Sequence, residues 1–295
     1  MDITYLDISG FSPEIYRISP DLRGMSKEQL IDHYLTYGIN EGRIYNRIVD
    51  RRSFIDSLDK KGRILEILSG EETQLDTRAS NYKTLDIGSI TPTSKNDVIQ
   101  SSTPLRQPDY KVTNGDYTVV KDHFNCIFAS HILESAQDPV GFLAGMVELL
   151  PRDGSLNLVI ADKRYSSDRF IPETDVFEVL QRNLQKPSLP DFAHVLRMKT
   201  QATHNDHRVH WSDINQNTAR PEPLTIEQFD KVVEEYNTTG CRDLQANHFT
   251  PQSFMSIINV LKNLGLINLK IHRLFHTVRG SGEFYVVLRK NDPVN

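Results

Sequence analysis

The chain has 295 residues, of which 38% are hydrophobic and 25% charged, and its formal net charge is -5. The length fits one large domain or two small ones, and the negative charge gives no electrostatic support for nucleic-acid binding. Cys126 and Cys241 are too few for a disulfide framework and favour a reducing compartment. No apolar run approaches the roughly 20 residues of a membrane span, and residues 1–10 lack a signal-peptide pattern. We therefore expect a cytoplasmic protein.

Residues 1–46 are predicted to form a small helical unit of their own. Ser26, with Gln29 three positions later, has the pattern of a capping box, and Gly38 is the predicted end of that helix. The unit resembles a short helical module attached to bacterial glycan-assembly enzymes. The matching residues are Tyr16, Pro20, Asp21, His33, Tyr34, Gly38, Glu41, Gly42 and Arg43. The alternative is a helical extension that covers the sheet.

Two apolar segments after a predicted linking helix (48–61) are predicted strands, over residues 63–67 and 82–87. Asp86 follows Glu66 by twenty positions, the spacing that places a carboxylate at a nucleoside ribose in doubly wound sheets. A carboxylate there accepts hydrogen bonds from both ribose hydroxyls. Gly70 alone does not make a phosphate-binding glycine loop, so the pattern disfavours a dinucleotide.

The segment 124–164 is the predicted centre of the fold. After a predicted loop (91–108) and edge strand (110–112), residues 124–129 form an apolar run typical of a strand buried on both faces. Residues 140–150 have helical apolar spacing, and residues 155–161 form a second strand. This order predicts a parallel sheet with ligands beyond its carboxyl edge. The side chains that follow these two strands are Ser130, His131, Asp162, Lys163 and Arg164.

The remainder of the chain is predicted to contain an inserted cap and then the end of the sheet. Residues 166–243 carry helical patterns at 172–182, 192–200 and 226–236, and we expect them to cover the carboxyl edge. A helix (252–264) and two antiparallel strands (266–275 and 283–288) follow. The predicted domains are therefore 1–46 and 47–295, with the cap inserted in the second.

Three histidines lie close together in the cap, His204, His207 and His210. Imidazoles can bind a metal, but positions i and i+6 do not share a helix face, and no cysteine cluster accompanies them. We therefore expect no metal here. These side chains are predicted to line a substrate pocket or to lie in a solvated loop.

The order of these parts resembles a class I S-adenosylmethionine-dependent methyltransferase, and most closely a bacterial subfamily with S-H-x-x-E and P-D-K-R-Y-like motifs. The matching segments are RILEI (63–67), TLDI (84–87), GDY (115–117), FASHILES (128–135), LPRDGSLNLVIADKRY (150–165), NHFTPQSF (247–254) and GEFYVVLRK (282–290). The resemblance implies an α/β fold with a doubly wound, mostly parallel sheet and an antiparallel C-terminal edge strand. It also implies S-adenosyl-L-methionine as cofactor. The cofactor-binding residues it implies are Glu66, Ser69, Gly70, Asp86, Ile87, Asp116, Tyr117 and Ser130.

Leu68 and Asn125 depart from the family pattern, which has glycine at the first position and usually aspartate at the second. Ser135 and Ala161 also replace the histidine and proline of the subfamily motifs. The resemblance and these departures leave two candidate functions. The first is a methyltransferase that acts on a hydroxyl of a glycan or glycan precursor. The second is a cofactor-free, methyltransferase-like binding module in a glycan-assembly complex. Both imply a glycan or sugar acceptor, with glycosyltransferases as further partners.

Methyl transfer to a hydroxyl is helped by a general base, and histidine suits that task near neutral pH. The candidate catalytic residues are His131 and His248. Alternatively, His131 caps the loop or stacks on the adenine of the cofactor, and His248 bonds to backbone in a tight turn. The predicted substrate-binding residues are Glu134, Lys163, Arg164, Tyr165, His207 and Trp211. The alternative for Lys163 and Arg164 is pairing with Asp162 and Glu134.

Overall fold

The computed structural model describes residues 10–68, 73–75, 81–87, 107–113, 115–187, 189–212, 221–241 and 244–291. The strands are β1 (Ile64–Leu68), β2 (Tyr82–Asp86), β3 (Tyr110–Lys111), β4 (Cys126–Ser130), β5 (Ser155–Ala161), β6 (Leu269–Phe275) and β7 (Glu283–Lys290). The α-helices described are α1 (Pro13–Tyr16), α2 (Lys27–His33), α3 (Ile39–Glu41), α4 (Arg51–Asp56), α5 (Pro139–Leu149), α6 (Val176–Gln185), α7 (Phe192–Gln201), α8 (His207–Ser212), α9 (Ile226–Thr239) and α10 (Pro251–Asn263).

The strands form one seven-stranded sheet in the order β3-β2-β1-β4-β5-β7-β6. Neighbours from β3 to β5 are parallel, whereas β7 runs antiparallel to both β5 and β6. This confirms the predicted α/β fold, with a doubly wound, mostly parallel sheet and an antiparallel C-terminal edge. The strand order reverses between β1 and β4, where Ile67 lies opposite Ala129. Ligands of such sheets bind beyond the carboxyl ends of the strands at this switch point.

Both faces of the sheet are covered by helices. Side chains alternate along a strand, so Leu65 and Ile67 face a large apolar cluster with α5, α6 and α10. Ile64 faces a second cluster, which contains Phe54 of α4. Strand β4 is buried along its whole length, as expected for a central strand covered on both faces.

The N-terminal unit has its own small core, made by Tyr16, Leu22, Leu30, Tyr34, Ile39 and Tyr45. Helix α2 begins at the capping box predicted for Ser26 and Gln29. The prediction that Gly38 ends the helix is wrong. The helical segment continues through a π-helical turn (Tyr34–Gly38) into α3, and it ends at Gly42. Gly38 is instead required by packing, since a Cβ there would clash with the Tyr16 hydroxyl and lie 2.8 Å from Tyr34 Cδ2.

Two hydrogen bonds join this unit to the connection between β6 and β7. The Tyr45 hydroxyl accepts a bond from His276 N over 2.8 Å. The Gly42 carbonyl accepts one from Arg279 N over 2.7 Å. The domain boundary at residue 46 stays a prediction. The two bonds anchor the connection between β6 and β7 to the N-terminal unit.

The helices of the predicted cap lie in more than one place. Helix α6 packs against α5 and α10, and α7 packs against α9 around Val195 and Val232. Helix α8 contacts the chain directly after β5. Helix α6 begins at Val176 and not in the turn at 172–173, because Asp175 and Glu178 form a capping box. The cap as a whole stays a prediction.

Other element boundaries follow local signals to differing degrees. Strand β5 has the predicted bounds, and α9 begins after Thr225 and ends at Gly240 as expected. Helix α4 is shorter than the predicted linking helix, since it begins only after the Asp50 cap and ends at Asp56. Most of the predicted loop at 91–108 lies outside the described residues. No helix in the described part of the chain is long and apolar enough to cross a membrane.

Candidate functional site

A cleft of about 740 Å³ opens at the carboxyl ends of β4 and β5, beside the start of β7. Three of the predicted catalytic and substrate-binding residues line it, His131, Tyr165 and His207. The other residues that line it are 49–51, 161, 166, 167, 205, 208, 245, 279–283 and 285. The cleft therefore lies at the sheet edge where the sequence predicts ligand binding.

His131 follows β4, and its ring lies between two carboxylates. Its Nδ1 is 3.0 Å from Glu134 Oε1, and its Nε2 is 2.8 Å from Glu283 Oε1. Because an ionised carboxylate only accepts hydrogen bonds, both ring nitrogens donate to their carboxylates. Arg51 Nη2 also lies 2.8 Å from Nε2, and its charge opposes protonation of the ring. Burial by itself lowers the pKa of His131, but the two carboxylates outweigh it and raise the pKa to about 10. The ring therefore carries a proton at neutral pH and has no nitrogen available to accept one from a substrate.

The backbone of His131 lies in the left-handed region, with φ at +54°. This conformation is uncommon for residues other than glycine and costs about 1–2 kcal/mol. It is held by the backbone N–H of His131, which donates to Val159 O over 3.0 Å, and by the two bonds of the ring. Strain of this kind clusters at functional sites.

Glu283 connects His131 to Arg51. The guanidinium of Arg51 donates to both oxygens of Glu283, with 3.2 Å from Nε to Oε2. Burial raises the pKa of Glu283, but His131 and Arg51 overcome this and lower the pKa to about 2. Arg51 Nη1 also donates to Gln74 Oε1 over 3.0 Å, and Gln74 N donates to Glu66 Oε1 over 2.7 Å. A continuous polar chain thus runs from the cleft to the segment after β1.

Glu134 is buried behind His131 and does not line the cleft. Its Oε1 accepts a bond from Ala161 N over 2.6 Å as well as the one from His131. Its carbonyl accepts bonds from the backbone N–H groups of Ala246 and Asn247. Glu134 thus positions His131 and ties β5 to the segment before α10, a role different from the substrate contact predicted for it.

Glu66, a predicted cofactor-binding residue, is satisfied within the chain. Besides Gln74, its carboxylate accepts bonds from Leu75 N over 3.3 Å and the Tyr82 hydroxyl over 2.5 Å. Burial raises the pKa of Glu66. These bonds hold the backbone at Gln74 and Leu75, and the predicted cofactor contact of Glu66 stays a prediction.

Asp86 ends β2, opposite Leu68 at the end of β1. Its carboxylate lies 3.8 Å from Lys111 Nζ, and it is partly exposed at the carboxyl edge. Ile87 follows it and is partly buried. Two further residues implied for the cofactor, Ser69 and Gly70, lie outside the described residues.

Ser130 ends β4, on the other side of β1 from Asp86. Its hydroxyl is buried and has no hydrogen-bond partner among the residues described. Such an orphaned polar group is rare in native proteins, because it costs about 1–3 kcal/mol. Polar groups at the strand ends on both sides of β1 fit a nucleoside cofactor at the switch point.

Asp116 and Tyr117 have contacts that the chain itself explains. The Asp116 carboxylate caps a short 3₁₀-helix (Tyr117–Val119), where it accepts a bond from Thr118 N over 3.0 Å. The Tyr117 ring packs against Gly145 of α5, and burial raises the pKa of Tyr117 to about 12. Their cofactor contacts stay predictions.

Lys163 and Arg164, predicted to bind substrate, do not line the cleft. Arg164 forms a bidentate pair with Asp162, with 2.9 Å from Nε to Oδ1 and 2.6 Å from Nη2 to Oδ2. Lys163 Nζ donates to Arg169 O over 3.0 Å, and burial lowers the pKa of Lys163. The pairing of Arg164 with Asp162 is the one named above as the alternative.

Tyr165 and Trp211 form a stacked pair at the cleft, with ring centroids 3.8 Å apart and planes inclined by 10°. Trp211 Nε1 donates to Ser281 O over 2.6 Å, so α8 is fixed on the turn before β7. Burial raises the pKa of Tyr165 to about 12, and its hydroxyl therefore stays protonated. Of the predicted substrate residues, Tyr165 and His207 line the cleft while Trp211 supports them.

His248 lies outside the cleft lining and is almost fully buried. Its Nδ1 is 3.0 Å from Asp168 Oδ2, and its ring stacks on His194 at 5.2 Å. Its backbone N–H donates to Thr174 Oγ1 over 2.9 Å. Nε2 has no hydrogen-bond partner in the part of the chain described.

The histidines of the predicted cap do not converge. The rings of His204 and His210 stack at 4.1 Å, and His210 Nε2 lies 3.0 Å from His204 O. His207 instead faces the cleft. Among the described residues no group of three or more His, Cys, Asp or Glu could hold a metal ion.

Five charged residues of the cleft were not predicted from the sequence: Asp50, Arg51, Arg208, Arg279 and Glu283. Glu283 belongs to the matched GEFYVVLRK segment, but that match carries no role for it. Arg51 is in the predicted linking helix, 232 positions before Glu283. No local pattern signals a contact across that separation.

No protein-family model matches the chain, and no curated protein matches it. Solved structures of similar shape include a methyltransferase described as S-adenosylmethionine-dependent from Mesorhizobium loti, at 14% identity and a TM-score of 0.40, over 81% of this chain and 96% of that one. One described in the same way from Methanosarcina mazei is 15% identical with a TM-score of 0.36, over 80% and 95%. A putative zinc-dependent alcohol dehydrogenase from Rhodobacter sphaeroides is 9% identical with a TM-score of 0.40, over 82% and 90%. At these identities and TM-scores the likenesses carry no argument about activity.

Proposed function

We propose that this chain is an S-adenosylmethionine-dependent methyltransferase that acts on a hydroxyl of a glycan or glycan precursor. The observation that carries the proposal is the pair of polar groups flanking β1, the Asp86 carboxylate and the buried Ser130 hydroxyl, which has no hydrogen-bond partner among the described residues. Both lie at the switch point where doubly wound sheets bind nucleosides. The cleft with His131 opens at the same edge. Cofactor and acceptor would then meet at the ends of β1 and β4.

Asp86 is the residue proposed to bind the ribose, and Ile87, Ser130, Ser69 and Gly70 are proposed as further cofactor-binding residues. Asp116 and Tyr117 are proposed to contact the adenine. When bound, the cofactor supplies an electrophilic methyl group. Leu68 stands where the family has glycine. Its side chain would leave less room for the methionine part of the cofactor beside the backbone. Asn125 does not bear on this site, because it precedes β4 at the opposite edge, where its Oδ1 accepts a bond from Arg63 N over 3.1 Å.

Holding the acceptor in line with the methyl group is proposed as the main contribution of the protein. His131 is a positioning residue in this account, since its two carboxylates keep it protonated. The base role predicted for His248 is kept as a hypothesis, because its Nε2 has no partner among the described residues. If His248 is the base, His248→Gln lowers turnover about 10²–10⁴-fold while cofactor affinity is unchanged. Unchanged turnover would mean that His248 is not the base, and that catalysis depends on positioning of the acceptor alone.

The acceptor class rests on the resemblance of the N-terminal unit to modules of glycan-assembly enzymes. A cytoplasmic location and glycosyltransferase partners are part of the same proposal. Pull-down of glycosyltransferases with the full chain, compared with a chain lacking residues 1–46, tests the partner part. Equal capture by both would remove the unit from that role.

Isothermal titration with S-adenosylhomocysteine, the demethylated product, tests the cofactor proposal directly. We expect binding by the full chain, weakened by about 1–3 kcal/mol in Asp86→Ala, because buried polar groups of the ligand lose their partner. Glu148→Ala is the matched control, since Glu148 is an exposed acid near the end of α5. No heat from a folded protein would reject the enzyme and favour the second candidate, a cofactor-free binding module, for which Leu68 is the supporting observation.

A further inference from the structure

The charges that line the cleft are unevenly committed. Two carboxylates line it, Asp50 and Glu283. Asp50 caps α4 and accepts a bond from Ser53 N over 2.8 Å, while Glu283 is shared by Arg51 and His131. Both acids are thus satisfied by neighbours within the chain. Neither forms an ion pair with another arginine of the cleft among the described residues.

Two other arginines line the same cleft, Arg208 on α8 and Arg279 before β7. Both are exposed, and neither guanidinium has a hydrogen bond or a carboxylate partner among the residues described. Arg51, by contrast, is bound to Glu283, and Arg164 nearby is bound to Asp162. The cleft therefore presents two cations whose charge is not matched by its own acids.

The two arginines are held by backbone contacts and not by their charges. Trp211 on α8 donates to Ser281 O over 2.6 Å, which fixes α8 on the turn that contains Arg279. Arg279 N donates to Gly42 O over 2.7 Å. The backbone at both positions is thus anchored while the side chains remain available. A guanidinium group binds an oxyanion with paired hydrogen bonds.

We propose that the cleft binds an acceptor carrying an oxyanion group, a phosphate or a carboxylate, through Arg208 and Arg279. Lys163 and Arg164, the cations predicted for that task, are occupied elsewhere. Neutral groups that line the cleft beside them, such as Asn205 and Gln245, suit the hydroxyls of a sugar. The sugar part rests on the proposed function, whereas the anion part rests on the cleft alone.

Isothermal titration at low salt with four probes tests the assignment: inorganic phosphate, glucose 1-phosphate, glucuronate and glucose. We expect one or more of the three anionic probes to bind, and glucose not to bind. Binding should weaken at high salt, because exposed charges are screened. Glucose 1-phosphate binding without glucuronate binding identifies a phosphate site, and the reverse identifies a carboxylate site. If glucose binds as tightly as the anionic probes, or if none of the anionic probes binds, the proposal is overturned.

The variants Arg208→Gln and Arg279→Gln should each weaken binding of the anionic probe about tenfold or more, the loss typical of a bond to a charged group. Lysine at either position should recover part of it. Arg152→Gln is the control, since Arg152 is equally exposed but lies before β5 at the opposite edge. Equal affinity of the two variants and the control would reject the two arginines as the binding groups.

Titration of the same preparations with S-adenosylhomocysteine separates this proposal from the proposed function. Anion binding without cofactor binding would keep the cleft assignment and reject the methyltransferase. Cofactor binding without anion binding would reject only the oxyanion site. Because both arginines are exposed, circular dichroism should show the variants folded as the parent chain.

Discussion

His131 and His248 each lie beside a carboxylate near the end of β5, yet their surroundings differ. His131 has Glu134 at one ring nitrogen and Glu283 at the other, and it lines the cleft. His248 has Asp168 at Nδ1 alone and lies behind the cleft, with Nε2 unpartnered in the described part of the chain.

The difference lies in how many acceptors each ring has. Two carboxylates offset the burial of His131 and raise its pKa to about 10, so the imidazolium acts as a fixed cation joining β4 to β7. One carboxylate orients His248, and its second nitrogen has no hydrogen-bond partner within the described ranges. Histidine beside an acid is therefore not one kind of site, and the position of the second partner decides its chemistry.

Glu283→Gln should give the largest effect, because it removes the negative charge shared by Arg51 and His131 and one of the two carboxylate acceptors. Breaking a buried ion pair typically costs about 3–5 kcal/mol, and the partial exposure of Arg51 reduces this to about 2–3 kcal/mol. Urea unfolding measures the change, with the exposed Glu148→Gln as control. If Glu283→Gln lowers the free energy of unfolding by no more than Glu148→Gln does, the ion pairs of Glu283 do not stabilise the fold.

Gly42→Ala should disturb the His131 region and leave the His248 region unchanged. Gly42 has φ at +64°, and a Cβ there would lie 2.6 Å from Arg279 N in the connection that leads to Glu283. We expect a loss of about 2 kcal/mol, part from left-handed strain and part from displaced backbone. Gly115→Ala is the matched control, since it has φ at +71° but no heavy atom within 4 Å of the added Cβ. NMR signals of both histidines report the location, and equal losses in the two variants would contradict the contact.

The stability contributed by His131 should depend on pH in a defined direction. Its folded pKa, about 10, is raised above the unfolded value near 6.5. This contribution is therefore complete below about pH 6.5 and is lost as the pH rises toward 10. Between neutral pH and pH 9.5 we expect a fall of about 1–2 kcal/mol, reduced by solvent screening, that is absent in His131→Gln. Identical pH profiles for the two proteins would show that His131 is not held protonated.

Asp168→Asn should have the smallest effect. Asparagine can still accept the bond from His248 Nδ1, so only the charged character of the bond is lost, about 1 kcal/mol of stability. Binding of phosphate in the cleft should not change, because neither Asp168 nor His248 lines it. Urea unfolding and phosphate titration measure the two quantities. Weaker phosphate binding would show that the His248 region and the cleft are one site.

The fold was predictable from the sequence to the extent that its signals are local. Strand β5 has the predicted bounds, and the caps Ser26, Thr225 and Gly240 are where the pattern placed them. These features depend on residues within one turn or on alternation along one strand. Gly38 failed as a helix end because its absence of a side chain makes room for the hydroxyl of Tyr16, which is a neighbour only in the folded unit.

The candidate site divides in the same way. The sequence by itself determined that His131, Asp86 and Ser130 lie at one edge of a parallel sheet, because strand ends follow from periodicity and chain order. It did not determine which charges pair.

Glu283 lies 152 positions from His131 and meets it only because β7 inserts beside β5. Arg51 and Arg279 reach the cleft by similarly distant contacts. Tertiary structure alone decided that His131 is a held cation and that Arg208 and Arg279 have no partner among the described residues, since electrostatic pairing depends on distance in space and not along the chain.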